Sequence, residues 1–209
     1  GILDKAMYAL ERGRPVRVAD ISADEMPILA GFQLLTTKPV LYVANVAESD
    51  LPDADNVSTR ALFDAVKGDA AERQDGEAIV TVCSALESEL AEMDDTDSKL
   101  FLEEVGLSET GLNRLIRVAY ELLGLVTFFT TGENESRAWT VRSGSSAPQA
   151  AGMIHSDFER GFIRAETIHF DAFSSVGSWK SARDTGVLRS EGKGYTVVDG
   201  DIILFRFNV

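Results

Sequence analysis

The sequence has one cysteine, Cys83, among its 209 residues. An internal disulfide is therefore excluded, and a reducing compartment, the cytoplasm, is the expected location. Histidine is nearly as scarce. His155 and His169 are the only two, so no Cys–His couple and no histidine-rich metal centre can be built from the first half of the chain. No apolar run approaches the roughly 18–20 residues needed to span a bilayer, and no membrane role is expected. The opening Gly1-Ile2-Leu3-Asp4 lacks the basic-then-apolar order of a secretory signal. A first residue of Gly rather than Met is what an excised or processed segment would show. Positive charge is also short: 20 Lys and Arg face 34 Asp and Glu, a net charge of −14. The deficit is uneven, with 11 basic and 24 acidic side chains in residues 1–123 but 9 and 10 in residues 124–209. This asymmetry argues for two units, and against the first binding a phosphate backbone, which would repel it. The second is near neutral, so RNA contact there needs a local basic patch.

What is present is an ordinary globular composition, 44% apolar and 26% charged, enough for a real core. Residues 2–12 read as the end of a helix, with Ile2, Leu3, Met7 and Leu10 at helical spacing and Gly13 and Pro15 as stops. Ser22 and Glu25 form a capping-box pattern for a helix running to about Leu35, in which Pro27 sits awkwardly. Lys38 to Ala44 is a continuous apolar run, as in a parallel strand covered on both faces, and Ala78 to Cys83 is a second. Helical stretches near 57–67, 98–105 and 110–123 complete an α/β alternation. After Gly124 the texture changes to a hairpin, 125–130 and 137–142, turning about Gly132-Glu133-Asn134-Glu135. A helix over 147–154, a strand over 161–170, a short helix over 178–185 and a last strand, Asp201 to Phe207, follow. That order suits a small β-grasp fold.

Chemistry concentrates at the ends of the two buried strands. Asn45-Val46-Ala47-Glu48 follows the first directly, and open α/β sheets bind ligands at the carboxyl ends of their strands. An asparagine amide offers a donor and an acceptor to a purine edge, and a Glu three residues on can accept from a ring or exocyclic N–H. P-loop GTPases usually carry Asn-Lys-x-Asp here to select guanine. This chain has Asn-x-x-Glu, so guanine selection is not expected; the plain alternative is a strand-to-helix turn with a capping Asn. Cys83-Ser84-Ala85 follows the second strand, where GTPases place Ser-Ala-Lys, and Leu86 stands for the Lys. Cys83 reads as a small buried hydrophobe. Other patterns read as structure. Gly186 to Lys193 imitates a phosphate-binding loop, but its glycines enclose five residues instead of four and Gly194 stands where Ser or Thr belongs, so a turn is expected. His155-x-Asp157 and His169-x-Asp171 lack further ligands at metal spacing. The six acids between Glu87 and Asp97 lack calcium-loop spacing and read as a solvated helix face.

Four blocks give a resemblance. ILAGFQLLTTKPVLYVANVAE, GLNRLIRVAYELLGLVTFFTTG, RAWTVRSGSSAPQAAGMIHSDFERGFIRAETI and GKGYTVVDGDIILFRFNV occur in order over nearly the whole chain. Together they resemble the C-terminal part of the YchF/Obg-like ATPase family. The resemblance implies the tail of a helical insertion over residues 1–20, the base-recognition half of a P-loop NTPase domain over 21–123, and a β-grasp TGS domain over 124–209. It implies ATP as the nucleotide, with Asn45, Val46 and Glu48, and the Ser84-Ala85 backbone, around the base. It implies ribosome binding, with rRNA contact through the TGS domain. The phosphate-binding loop and Mg²⁺ ligands of that family do not occur in this sequence. The chain alone is therefore expected to be an inactive binding module, with strands left uncovered and prone to self-association. A free-standing TGS regulatory module, sensing RNA or a small ligand, is the alternative. Candidate contacts with RNA or ribosomal protein are Arg137, Arg142, Arg160, Arg164, Lys180, Arg183 and Lys193, near Trp139 and Trp179.

Overall fold

Helix α1 (Ile2–Glu11) ends where Gly13 adopts a φ of 69°, a left-handed backbone that residues with a Cβ resist. The computed structural model describes residues 1–70, 79–132 and 135–208; Ala78 and the expected turn residues Glu133 and Asn134 lie outside the described residues. The apolar stripe expected on α1 is only partly used. Ala6 and Ala9 are buried with Val16 and Leu29 nearby, and Ile2 packs beside them, whereas Leu3, Met7 and Leu10 are 48%, 56% and 45% exposed. The two alanines admit the closest approach of the following chain, and the larger side chains stay outside.

The helix expected from Ser22 to about Leu35 is also shorter. Glu25 does accept from the Ser22 N–H at 3.0 Å and from its hydroxyl at 3.2 Å, but the pair closes a turn and α2 covers only Met26–Ala30. Pro27 occupies its first turn, where a missing N–H costs little. The chain leaves the helix at Gly31, and Gln33 takes a φ of 51°.

Strands β1 (Tyr42–Asn45) and β2 (Ile79–Val82) pair in parallel, Tyr42 opposite Ile79 and Asn45 opposite Val82. Helix α3 (Val57–Ala70) supplies the crossover that parallel strands need and packs Leu62, Phe63 and Val66 on Tyr42 and Ile79. Helices α4 (Ser84–Leu90), α5 (Asp95–Val105) and α6 (Gly111–Leu122) follow. The start of α6 lies against Val82, 3.3 Å from where a Gly111 Cβ would stand. On the face that Val82 shares, Val80 is fully buried. Its neighbour Val43 is 49% exposed. So β1 is covered on its Tyr42–Ala44 face alone, not on both faces as its apolar run predicts, because α6 lies over β2. The acidic stretch is partly structural. The Asp94 carboxylate caps α5 by accepting from Thr96 and Asp97 N–H, both at 2.9 Å.

The chain divides after Leu123 into two compact units. The second is a five-stranded sheet of β3 (Leu125–Thr131), β4 (Ser136–Arg142), β5 (Phe162–His169), β6 (Arg189–Glu191) and β7 (Asp201–Phe207). Its order is β4-β3-β7-β5-β6. Neighbours are antiparallel except β3 and β7, which run parallel with Phe129 opposite Ile202. One face carries α7 (Ala147–Ile154), whose Ala147, Ala150 and Ala151 are fully buried beside Phe128, Phe162, Ile203 and Phe205. Each such large apolar side chain contributes about 1.5–3 kcal/mol on burial. On the other face, α9 (Phe170–Val176) and α10 (Trp179–Asp184) gather Phe173 and Trp179 around Ile168 and Ile202. A single turn of helix, α8 (Ser156–Arg160), joins α7 to β5. The stretch read as a turn at Gly186 to Lys193 contains β6, an edge strand of three residues, too short for an alternation to show.

Candidate functional site

The ends of β1 and β2 are tied by one side chain. Asn45 closes β1, Ser84 opens α4 just past β2, and the Asn45 Oδ1 accepts from the Ser84 N–H at 3.0 Å and from its hydroxyl at 2.9 Å. A backbone N–H can only donate, so the atom facing it is the amide oxygen. The Val46 N–H continues the strand pairing by donating to the Val82 carbonyl at 2.9 Å. The Val46 side chain then turns inward, 7% exposed, into a cluster with Cys83, Leu86, Leu90 and Leu102. Cys83 is thus a buried hydrophobe under the loops.

Glu48 begins the short turn Glu48–Asp50. Asp50 fixes that turn by accepting from the Ala47 N–H at 3.3 Å and from the Asn56 side-chain amide at 2.9 Å. Asn45, Glu48, Ser84 and Ala85 are all exposed at this edge. Among the described residues the Glu48 carboxylate has no hydrogen-bond or ionic partner. Two expectations change here. Asn45 is expected to meet a purine with both donor and acceptor, but its acceptor is spent on Ser84, leaving Nδ2 as the free group. Val46 is expected at the base, but its side chain belongs to the core.

Sequence reading missed Glu87. Its carboxylate accepts from the Gly111 N–H at 2.7 Å and from the Leu112 N–H at 3.2 Å, so the helix that starts with Ser84 is pinned to the N-terminus of α6. Beside it lies a cleft of about 420 Å³ lined by Val82, Leu86, Glu87, Thr110, Gly111 and Arg117, which includes none of Asn45, Glu48, Ser84 or Ala85. Its Arg117 is engaged by Glu109 at 2.7 Å. The two His-x-Asp pairs turn out to be helix caps: Nδ1 of His155 accepts from the Asp157 N–H at 3.2 Å, and Nδ1 of His169 from the Asp171 N–H at 3.4 Å. Among the described residues no group of three or more His, Cys, Asp or Glu could hold a metal ion, and no helix is long and apolar enough to cross a membrane.

In the second unit the candidate RNA contacts disperse. Arg137 pairs with Glu135 and Arg160 with Asp157. Arg137 also lies over the Trp139 ring, 5.9 Å from its centroid. Neither tryptophan is a free stacking platform. Trp139 packs on the α7 core and donates to Thr130 Oγ1 at 2.9 Å, and Trp179 packs on Phe173 and donates to the Thr131 carbonyl at 3.3 Å. Arg164 and Arg183 are brought together around Glu166, where they meet Arg206. Arg206 escaped the sequence reading because it sits in an apolar strand; its alternation with Ile202 and Leu204, off the buried Ile203–Phe205 face, was the available signal. The Arg206 guanidinium first, and Arg164 after it, hold the Glu166 carboxyl below its usual range despite its burial. Near the start of β7, Asp201 is 1% exposed and accepts from the Tyr195 hydroxyl at 2.6 Å and the Val198 N–H at 3.0 Å. Burial, and then Asp201, push the Tyr195 hydroxyl up to about 12.

These features define an α/β chain with an exposed polar site at the ends of parallel strands in one unit and a mixed sheet in the other. Residues 125–208 match the family model YchF-GTPase_C, described as a protein of unknown function (DUF933). Over its whole length the chain is similar to proteins named Ribosome-binding ATPase YchF. It is 44% identical to that of Bacillus subtilis (strain 168) over 209 residues, which is 56% of that relative's length. It is 45% identical to that of Escherichia coli O157:H7 over 208 residues, or 55% of that length. It also superposes on the structure of the Schizosaccharomyces pombe YchF GTPase with a TM-score of 0.80 at 31% identity, covering 98% of this chain and 53% of that one. A GTP binding protein from Pyrococcus horikoshii OT3 shares the fold, with a TM-score of 0.55 at 18% identity, over 99% of this chain and 56% of that one. By these matches the chain corresponds in sequence to the C-terminal portion of YchF proteins. It spans about half the length of the curated relatives it matches.

Proposed function

We propose that this chain is the base-recognising and ribosome-docking portion of a ribosome-associated ATPase. Residues 21–123 act as the base-recognition half of a P-loop NTPase domain and residues 124–209 as a TGS module of β-grasp fold; residues 1–20 are the tail of a helical insertion. The sheet order β4-β3-β7-β5-β6 around a parallel β3–β7 pair, with one main helix on a face, supports the β-grasp assignment. The names of the YchF relatives support the ribosome.

The observation that carries the nucleotide reading is the tie between Asn45 and Ser84, which leaves, among the described residues, one free donor, Asn45 Nδ2, and one unpartnered acceptor, the Glu48 carboxylate, exposed at the same strand ends. Adenine presents a ring acceptor, N7, next to an amino donor, N6, whereas guanine presents two acceptors, N7 and O6, on that edge. A single donor beside a carboxylate suits the first pattern, and the second would set O6 against a negative charge. The backbone of Ser84 and Ala85 would line the base. The nucleotide is therefore ATP. The Mg²⁺ that neutralises its phosphates would be held by residues outside this chain, which has no phosphate-binding loop.

Ribosome docking is tested by co-sedimentation of a full-length protein carrying this chain and of the same protein truncated at Gly124. The truncated form is expected to lose most of its ribosome association. Equal sedimentation of both would place the anchor outside residues 124–209 and favour the reading of those residues as a regulatory module.

A further inference from the structure

Arg164 and Arg206 stand directly opposite each other on β5 and β7. Like charges in that position repel and are a cost to the sheet unless a counter-charge lies between them. Glu166 is that counter-charge. It is two residues along β5 from Arg164 and is 7% exposed. Arg206 reaches it with Nη2 at 3.1 Å and Nε at 3.4 Å, Arg164 with Nη2 at 3.0 Å, and Arg183 of α10 with Nη2 at 3.5 Å. Three guanidiniums thus share one carboxylate, and two positive charges are left over on this part of the sheet face.

The guanidiniums are not used up. The side chains of Arg164, Arg183 and Arg206 are 53%, 61% and 44% exposed, and each guanidinium carries five N–H donors. Lys180, one helical turn before Arg183 on α10, is exposed and extends the positive strip. Arg183 and Arg206 approach the same carboxylate oxygen, so both can meet one phosphate or two neighbours along a strand. A planar guanidinium fork matches phosphate oxygens two at a time, and a fork already held in place loses less freedom on binding. Leu204 and Ser190, the residues that the strand register sets opposite Glu166, offer no exposed aromatic or aliphatic anchor of the kind on which protein interfaces centre.

We propose that Arg164, Arg183 and Arg206, arrayed on Glu166, form a docking surface for the phosphate backbone of RNA. This rests on the ribosome-docking reading above and names the surface that serves it. Binding there is independent of base sequence and depends on salt. The test uses the full chain, a short fluorescent oligouridine, and anisotropy titrations over a range of KCl. In Arg164→Gln/Arg183→Gln, Arg206 still neutralises Glu166 and the fold is kept. The slope of log K against log salt should become shallower by about 0.7 for each arginine removed, with affinity at low salt falling about tenfold or more. Arg183→Gln alone, at the exposed end of α10, should give half of that change in slope, and Arg164→Lys/Arg183→Lys should keep the slope. A wild-type chain that ignores oligouridine, or a double variant with an unchanged slope, overturns the proposal. So does a polyglutamate probe that binds as tightly as oligouridine and is lost with the same arginines, which would assign the surface to an acidic protein. Ribosome co-sedimentation of the full-length protein with and without the double substitution separates the two readings. Equal sedimentation defeats the patch and leaves ribosome docking standing. Arginine-dependent oligouridine binding without any sedimentation defeats ribosome docking and leaves the patch.

Discussion

Glu87→Ala should destabilise the first unit while leaving the second intact. Gly111 and Leu112 open α6, so their N–H groups have no acceptor within the helix. Glu87 accepts from both, at 2.7 and 3.2 Å, and its negative charge sits favourably at the N-terminus of a 12-residue helix. The Leu112 N–H is at an exposed residue and would be rehydrated after truncation, whereas the bond to Gly111 is partly buried. A hydrogen bond to a charged group is worth about 1.5–3 kcal/mol, and loss of a capping group alone about 0.5–2 kcal/mol, so about 2 kcal/mol is expected. For a unit of this size that lowers the melting midpoint by about 6–10 °C. Glu87→Gln keeps an acceptor for Gly111 and loses the charge, and should lose about half as much. The assay exploits residue placement. Both tryptophans, Trp139 and Trp179, lie in the second unit, so their fluorescence follows that unit while helical circular dichroism follows both. The substitution should pull an early transition out of the dichroism curve without moving the tryptophan transition. A dichroism midpoint shifted by less than about 2 °C would refute the capping argument.

Two further outcomes follow from the hydrogen bonds. Tyr195 is pushed from its ordinary 10 up to about 12 by burial and by Asp201, so the folded chain keeps a proton that the unfolded chain releases. That contribution is complete below pH 10 and is lost as the pH rises from 10 to 12. Tyr195→Phe should start less stable, by about 1–3 kcal/mol for the donor removed from buried Asp201, yet lose less stability across that alkaline window; urea midpoints with the wild-type pH slope would count against the linkage. In a full-length protein carrying this chain, Glu48→Lys should narrow the preference for ATP over GTP about five- to tenfold, as removal of one hydrogen bond of about 1 kcal/mol or slightly more implies, whereas Asn45→Ala, whose Nδ2 meets the N7 that both purines present, should weaken both nucleotides by about that factor. Unchanged selectivity in Glu48→Lys would remove Glu48 from the base site, and unchanged nucleotide affinity in Asn45→Ala would remove Asn45.

Regular elements were legible where local pattern and tertiary packing agree. The helix over 147–154 falls where expected because Ser146, Pro148 and the buried alanines at positions 147, 150 and 151 all favour it. Agreement fails where one signal serves two ends. Ser22 and Glu25 form the hydrogen bonds of a capping box, and a sequence cannot say whether those bonds start a long helix or close a turn before a short one. In α1 the burial follows the smallest residues instead of the most apolar, because the neighbouring chain needs close approach more than it needs area. Edge strand β6 and helices α8 and α9 were illegible because three to seven residues hold less than two full periods, whereas the equally short α10 falls where expected behind its capping Ser178.

The candidate site shows why a motif can be read correctly as to place and incompletely as to role. Residue type and position located Asn45 and Glu48 at a strand end, but only the structure shows that the asparagine oxygen faces inward to Ser84, 39 residues away. Two functions therefore share Asn45: it holds the Ser84 loop against β1 and it presents Nδ2. Replacing it disturbs loop geometry and base contact together, whereas Glu48, with no partner among the described residues, can only affect what approaches from outside. A larger stability loss from Asn45→Ala than from Glu48→Lys, with weaker binding of both nucleotides in the first and altered selectivity in the second, is the signature of that division. The same logic separates Glu166 from its arginines. The carboxylate sets the array and the guanidiniums present it, so loss of Glu166 leaves Arg164 and Arg206 opposed without a counter-charge and should cost the fold more than loss of any one arginine.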